Sequence, residues 1–421
     1  MNFKKILSIS LALTMTLAVS GCGSKSKDTK DKSGKVALEF WNPFTGPDGE
    51  YMKNLVQKYN ETNKDKVEVK MEVTPGDQYY EKLKTSVRSG QGPQIAVVHA
   101  DQIPGLVRSN TLKELDTDIN SLGIKGDDYI ESGWNAGVYK EKRYTIPLDI
   151  HPLVLYYNKD IVEKEGLKVP TTYEELIENA KKATKGDIFG FALPSIWPTN
   201  LVFRTAMLQN GSDIISKDSK ESIVNNEVGM TAFNKINDLW AKEKVAPEKL
   251  PRDGHINLFK QNKVAFTIDG IWMMQGFTEA KINYGVAPMA TLFGSNPAVW
   301  ANSHQLSVVN NKNMNDETKK EALNFIKYIS ENAFEWAKGG QVPASKKVLE
   351  SEDFKKLTNQ YEASKQLKDT KLAPQVDTWI DIWSPVEANL SEGLLGEKAA
   401  KDVLDTAAKE GTEKAKATLS E

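Results

Sequence analysis

Hydrophobic positions along the chain change period several times, and each change marks an element. Val36 to Trp41 is apolar and β-prone, and Asn42-Pro43-Phe44-Thr45-Gly46-Pro47 breaks the run. From Asp48 the spacing lengthens, so that Tyr51, Met52, Leu55, Val56 and Tyr59 share one helical face. Val67, Val69, Met71 and Val73 then alternate, as a half-buried strand does. Tyr79 to Arg88 predicts a helix that stops at Gly90, and Gln94 to Val98 a short buried strand after Gly92-Pro93. The β-α-β-α-β order predicts a parallel sheet with helices on its faces.

A second series follows. Val154 to Tyr157 reads as a strand ended by Asn158-Lys159-Asp160, and Thr171 to Glu175 carries the Thr-x-x-Glu spacing of a capping box opening a helix through Ala183. Further strands are predicted at Phe189 to Leu193, Val264 to Ile268, Asn283 to Ala287 and His304 to Val309. Helices are predicted around Val228 to Lys242, His255 to Gln261 and Asp316 to Ser330, with closing helices near Asp353 to Tyr361, Asp377 to Asn389 and Ala399 to Ala417. No internal repeat of solenoid period appears. A chain of 421 residues exceeds what one core organises, which points to two domains.

The N-terminus changes the picture. Lys4 and Lys5 precede an apolar run from Ile6 to Val19, too short to cross a bilayer, then small residues and the single cysteine, Cys22. Residues 1–21 read as a secretory signal peptide, and Val19-Ser20-Gly21-Cys22 resembles a bacterial lipobox, which implies lipidation of Cys22. An ordinary secreted protein with a spare thiol is the plainer alternative. Gly23 to Lys35 contains no apolar residue, so 22–35 is expected to be a lipidated cysteine followed by a disordered tether. With 55 basic and 57 acidic side chains and no basic stripe, nucleic acid is not the expected partner.

The search for catalytic motifs is mostly negative: there is no nucleophile elbow, no His-Glu-x-x-His, no phosphate loop and no dinucleotide fingerprint. His99, His151, His255 and His304 are scattered without metal-ligand spacing, so neither a metal nor a cofactor is expected. A glycosidase carboxylate pair forms in space rather than at fixed spacing, which leaves a hydrolase open. Tryptophans are more informative, because Trp41, Trp134, Trp197, Trp272, Trp300, Trp379 and Trp383 fall near predicted strand ends, near Gly or Pro, or opening a helix. An indole face covers the apolar face of a pyranose, and surrounding polar groups pair its hydroxyls. Trp41-Asn42, Asp269-Gly270-Ile271-Trp272 and Trp300-Ala301-Asn302-Ser303-His304-Gln305 provide such company. Core packing is the competing role for each of these tryptophans.

Phe40 to Gly49, Asp149-Ile150-His151-Pro152-Leu153, Tyr156-Tyr157-Asn158-Lys159 and Asp269-Gly270-Ile271-Trp272 occur in an order that resembles the family 1 extracellular solute-binding proteins of bacterial ABC importers, among them the maltodextrin-binding proteins. The resemblance extends over the chain from about Val36. It implies an α/β fold of two lobes, each a mostly parallel sheet flanked by helices, joined by a hinge with crossings near Leu148 to Pro152, Asn302 to Gln305 and Gln341 to Ser345. Lobe 1 is then 36–148 plus 305–342, and lobe 2 is 153–302 plus 345–421.

By the same resemblance, Asp48 and Asp101 correspond to polar sugar contacts, Trp272 to a stacking tryptophan, and Trp197 and Trp379 to further platforms. Asp149 and His151 belong to one of the matching motifs, and His151 stands where maltodextrin binders carry a carboxylate. Blander roles exist: Asp48 as a helix-start acid, Asp101 as a helix cap, His151 as a hinge residue, Asp269-Gly270 as a turn. The implied protein is a monomer on the outer face of the cytoplasmic membrane, held there by its lipid alone. It captures a neutral oligosaccharide, with plant polysaccharide as one source, and delivers it to ABC permease subunits without catalysis. The alternatives are an extracellular polysaccharide hydrolase or lyase, and the same fold with a non-sugar solute such as a polyamine, a peptide or a metal chelate.

Overall fold

A computed structural model describes residues 34–420; the signal segment, Cys22 and most of the tether lie outside them. The chain first lays down β1 (Val36–Asn42), β2 (Val67–Val73) and β3 (Ile95–His99), then a small hairpin of β4 (Val138–Tyr139) and β5 (Lys142–Arg143), then β6 (Thr145–Pro147). It crosses over to build β7 (His151–Asn158), β8 (Phe189–Ala192), β9 (Val264–Gly270), β10 (Tyr284–Ala287) and β11 (Val299–Asn302). It returns with β12 (His304–Val308) and finally contributes β13 (Thr370–Lys371) to the second group.

Two separate sheets result: five strands in the order β2-β1-β3-β12-β6, and six in which β13-β11-β7-β9-β8 form a path and β10 pairs with β7. The two-lobed α/β class agrees with the sequence reading. The expectation of mostly parallel pairing holds only for β2-β1-β3 and for the β8/β9 and β11/β13 pairs. β12 runs antiparallel to β3 and β6, and β7 antiparallel to β9, β10 and β11. The cause is the crossing: a strand that enters a sheet directly from the other lobe, without a covering helix, is free to run either way.

Periodicity places the helices well. Gly49–Thr62 buries Met52, Leu55, Val56 and Tyr59 against the first sheet, and the Thr172 hydroxyl caps Tyr173–Ala183 by accepting from Glu175 N–H at 3.2 Å. Two departures have local causes. The helix expected over Asp353 to Tyr361 is split into Glu352–Lys355 and Thr358–Ser364, because Leu357 adopts φ −78°, ψ 76°, outside the helical region. Thr199–Gln209 was not foreseen; almost every residue in it is buried, so it carries no amphipathic stripe to read.

Between the sheets three segments run side by side. Leu148 N–H donates to His304 C=O at 2.8 Å, Ile150 N–H to Val342 C=O at 2.9 Å, and Ala344 N–H to Leu148 C=O at 3.0 Å. Ser303 alone separates β11, in one sheet, from β12, in the other.

Candidate functional site

A cavity of about 620 Å³ opens between the two sheets, within the usual range for a small-molecule site. Its walls come mainly from carboxyl ends of strands, where open α/β sheets place ligands. The loop after β1 supplies Phe44 and Asp48, the end of β3 supplies His99 and Asp101, the turn after β9 supplies Trp272, and β11 supplies Trp300 and Asn302.

The aromatic wall is continuous. Trp197 and Trp272 stack at 5.8 Å between ring centroids with 25° between planes, and Trp300 meets Trp272 edge-on at 6.4 Å and 90°. Arg252 lies over the ring of Trp197, 5.0 Å from its centroid. Gly270 makes the placement of Trp272 feasible: a Cβ there would stand 2.0 Å from two atoms of its indole ring.

Each cleft carboxylate is held by a side-chain amide. Gln341 Nε2 donates to Asp48 at 2.9 Å, Asn302 Nδ2 to Asp101 at 3.0 Å, and Asn200 Nδ2 to Glu387 at 2.9 Å. Asp48 stands at the N-cap of Gly49–Thr62, as a helix-start acid does, but without a side-chain cap bond; its carboxylate turns to Gln341 instead. Burial raises the carboxyls of Asp48 and Asp101 above the ordinary range, partly offset by those amides and, for Asp48, by His304.

Below the cleft floor, Asp149 is fully buried and accepts four hydrogen bonds, two on each oxygen. Oδ1 accepts from His151 Nδ1 and from the backbone of His304, both at 3.0 Å; Oδ2 accepts from His304 Nδ1 and Trp336 Nε1, both at 2.7 Å. Burial alone would raise this carboxyl, but His304 and His151 outweigh it and hold it below the usual range. Burial, with His304 beside it, pushes the His151 imidazole down to about 4 and drives His99 well below its ordinary value. Tyr80 accepts the His99 backbone N–H at 2.9 Å, and its hydroxyl lies 2.6 Å from His99 Nδ1, a hydrogen bond whose direction follows the tautomer of the ring.

The residues singled out from sequence therefore separate into two groups. Asp48, Asp101, His151, Trp197, Trp272, Trp300 and His304 line the cavity. The remainder stand behind its walls. Trp41 is 5% exposed in the core of the first lobe with Lys82 over its ring, and Asn42 accepts the Phe44 N–H at 3.1 Å. Asp269 is locked to His255 at 2.8 Å, and the Ser303 hydroxyl donates to the Asp149 carbonyl at 2.5 Å. Trp379 is 2% exposed, beneath Arg204, and stacks on Trp383 at 5.9 Å.

Sequence reasoning missed His99, Phe44 and one helical stripe. Ile380, Trp383, Ser384 and Glu387 follow i, i+3, i+4, i+7 spacing on helix Trp379–Leu394 and together face the cleft. That spacing was a readable signal. The absence of metal-ligand spacing among the histidines, by contrast, was no guide to space: His99, His151 and His304 each offer one nitrogen, all within 4.8 Å of one another.

The family model for bacterial extracellular solute-binding proteins matches residues 45–335, more than half of the chain. The chain belongs to this family. Among relatives of this solute-binding protein, a galactooligosaccharide-binding protein of Bacillus subtilis is 25% identical over 96% of this chain and 96% of its own length. A maltooligosaccharide ABC transporter solute-binding lipoprotein of Streptococcus pneumoniae is 26% identical over 97% of each. The fold matches a maltose/maltodextrin-binding domain from Bdellovibrio bacteriovorus bound to maltotriose, with a TM-score of 0.79 at 19% identity, over 92% of this chain and 100% of that one. It also matches an ABC substrate-binding protein from Listeria monocytogenes in complex with cycloalternan, with a TM-score of 0.77 at 20% identity, over 90% and 98%.

Proposed function

We propose that this solute-binding protein captures a neutral oligosaccharide in the cleft between its lobes and presents it to the membrane subunits of an ABC importer, without chemical change. The observation that carries this reading is the pairing of a tryptophan wall with carboxylates held by amides. Trp197, Trp272 and Trp300 together present indole surface to sugar rings, while Asp48, Asp101 and Glu387 hold fixed acceptor oxygens for hydroxyls. Carboxylates fastened in this way suit binding, which needs fixed geometry, better than proton transfer. The names of the B. subtilis and S. pneumoniae relatives favour the same solute class.

The segments 148–150, 303 and 342–344 act as the hinge in this reading. Lobe 1 comprises 36–148 plus 305–342, and lobe 2 comprises 153–302 plus 345–421. Cys22 carries the lipid that keeps the protein at the outer face of the membrane, and the protein works as a monomer.

Thermal-shift titration against maltotriose, linear galacto-oligosaccharides and cycloalternan, with chromatography of the sugars afterwards, tests it. A saturable rise with at least one oligosaccharide and no new product is expected; ligand at 100 times Kd adds about 2.7 kcal/mol, a readable shift. Product formation, or a response only to cationic or peptide solutes, refutes it.

A further inference from the structure

Three of the chain's four histidines meet at the cleft floor. His99 ends β3, His304 begins β12 directly opposite it in register, and His151 begins β7 in the other sheet. Their rings are packed against one another, with centroids 4.3 Å apart for His151 and His304 and 4.8 Å for His99 and His304. All three line the cavity.

Their hydrogen bonding is directional. Asp149 takes Nδ1–H from both His151 and His304, which leaves Nε2 of each ring as a lone-pair donor. A carboxylate that fixes the tautomer and orientation of an imidazole is the usual outer support of a metal-bound histidine, and here one buried carboxylate serves two rings. His99 is anchored through Nδ1 by the buried Tyr80 hydroxyl. That oxygen has two lone pairs, so it can accept Nδ1–H as well as the backbone N–H and release Nε2 of His99 for ligation.

We propose that His99, His151 and His304 form a site for a divalent cation of the zinc class at the floor of the cleft. Imidazole is the ligand type that zinc, nickel and copper favour over magnesium or calcium. Zinc–nitrogen bonds of about 2.0–2.1 Å in tetrahedral geometry put ligand nitrogens about 3.4 Å apart. One nitrogen of each ring lies within 4.8 Å of the others, so ligation asks for a shortening of up to about 1.4 Å, through ring rotations that aim Nε2 of each ring at one point or movement of β7 toward the first sheet. Three protein ligands leave a fourth position open to the cavity, to be filled by water or by a bound solute. The inference does not depend on the sugar reading, because the metal is tested with no sugar present.

The test uses the purified chain, stripped with chelator and dialysed against Zn(II), with Co(II) as a spectroscopic substitute. One equivalent of tightly held zinc is expected, together with the strong visible absorption of four-coordinate cobalt. His151→Gln or His304→Gln should weaken zinc binding by about tenfold or more. Less than stoichiometric zinc, a faint six-coordinate cobalt spectrum, or unchanged uptake by the folded His151→Gln/His304→Gln chain overturns the proposal. Should the substituted chains fail to fold, zinc stoichiometry and the cobalt spectrum of the unsubstituted protein decide it alone.

Discussion

Gly270→Ala isolates the aromatic platform without removing it. The backbone at Gly270 is extended, with φ −78° and ψ 163°, so alanine is compatible with the main chain. The obstacle is the indole of Trp272, whose atoms lie 2.0, 2.0 and 2.3 Å from the position a Cβ would take. Ordinary contact begins at 3.4 Å, so the ring must retreat by about 1.4 Å (3.4 − 2.0) and leave its stack with Trp197. Losing a central aromatic anchor costs about 2 kcal/mol, which is roughly thirty-fold in affinity. Overpacking should lower unliganded stability by about 1–3 kcal/mol in addition. Calorimetry with the tightest oligosaccharide of the panel, and melting of the same sample, separate the two effects. Trp272→Ala should match Gly270→Ala in affinity. Affinity within about twofold of wild type in both, beside a stability loss of about 3 kcal/mol or more in Trp272→Ala, would place the indole in the core and refute the platform.

Other consequences are equally open to measurement. Asp149→Asn presents a single acceptor oxygen to four donors; even if one histidine changes tautomer to accept from the new amide, the His304 backbone N–H or the Trp336 indole N–H loses its partner, and chemical denaturation should show a loss of at least about 1–3 kcal/mol. The His151 imidazole titrates near 4 when folded against an ordinary 6.5, so the unfolded chain takes up its proton first and stability should fall as pH drops through that window. His99, also held below its ordinary value, adds to the trend and Asp48 and Asp101, raised by burial, oppose it, so His151→Gln should reduce its slope in melting curves taken across the same pH range. Small-angle scattering should show a more compact particle with saturating oligosaccharide, and superimposable curves would count against hinge closure. Cys22→Ser should release the protein from washed membranes with affinity unchanged; full retention would count against the lipid anchor.

Much of this protein was legible along the chain because its elements are local. The period of apolar residues located β1, β2, β3 and β9, the amphipathic helices and the capped helix after Thr172, since each depends on side chains a few residues apart. Trp272 was legible for the same reason: a glycine two positions earlier clears the space for its ring. What the tertiary structure alone decided is where distant residues meet. Trp379 and Trp383 are equally plausible in sequence, and only the rotation of their helix sends Trp383 to the cleft and Trp379 beneath Arg204. Asp149 stood in a matching motif as a candidate ligand contact, yet crossings at 148–150, 303 and 342–344 bury it under two histidines and Trp336. The same crossings bring His99, His151 and His304 together from strands far apart in the chain. No spacing rule reports that convergence, because it is set by how strands of two sheets pass one another at the hinge and not by the run of residues between them.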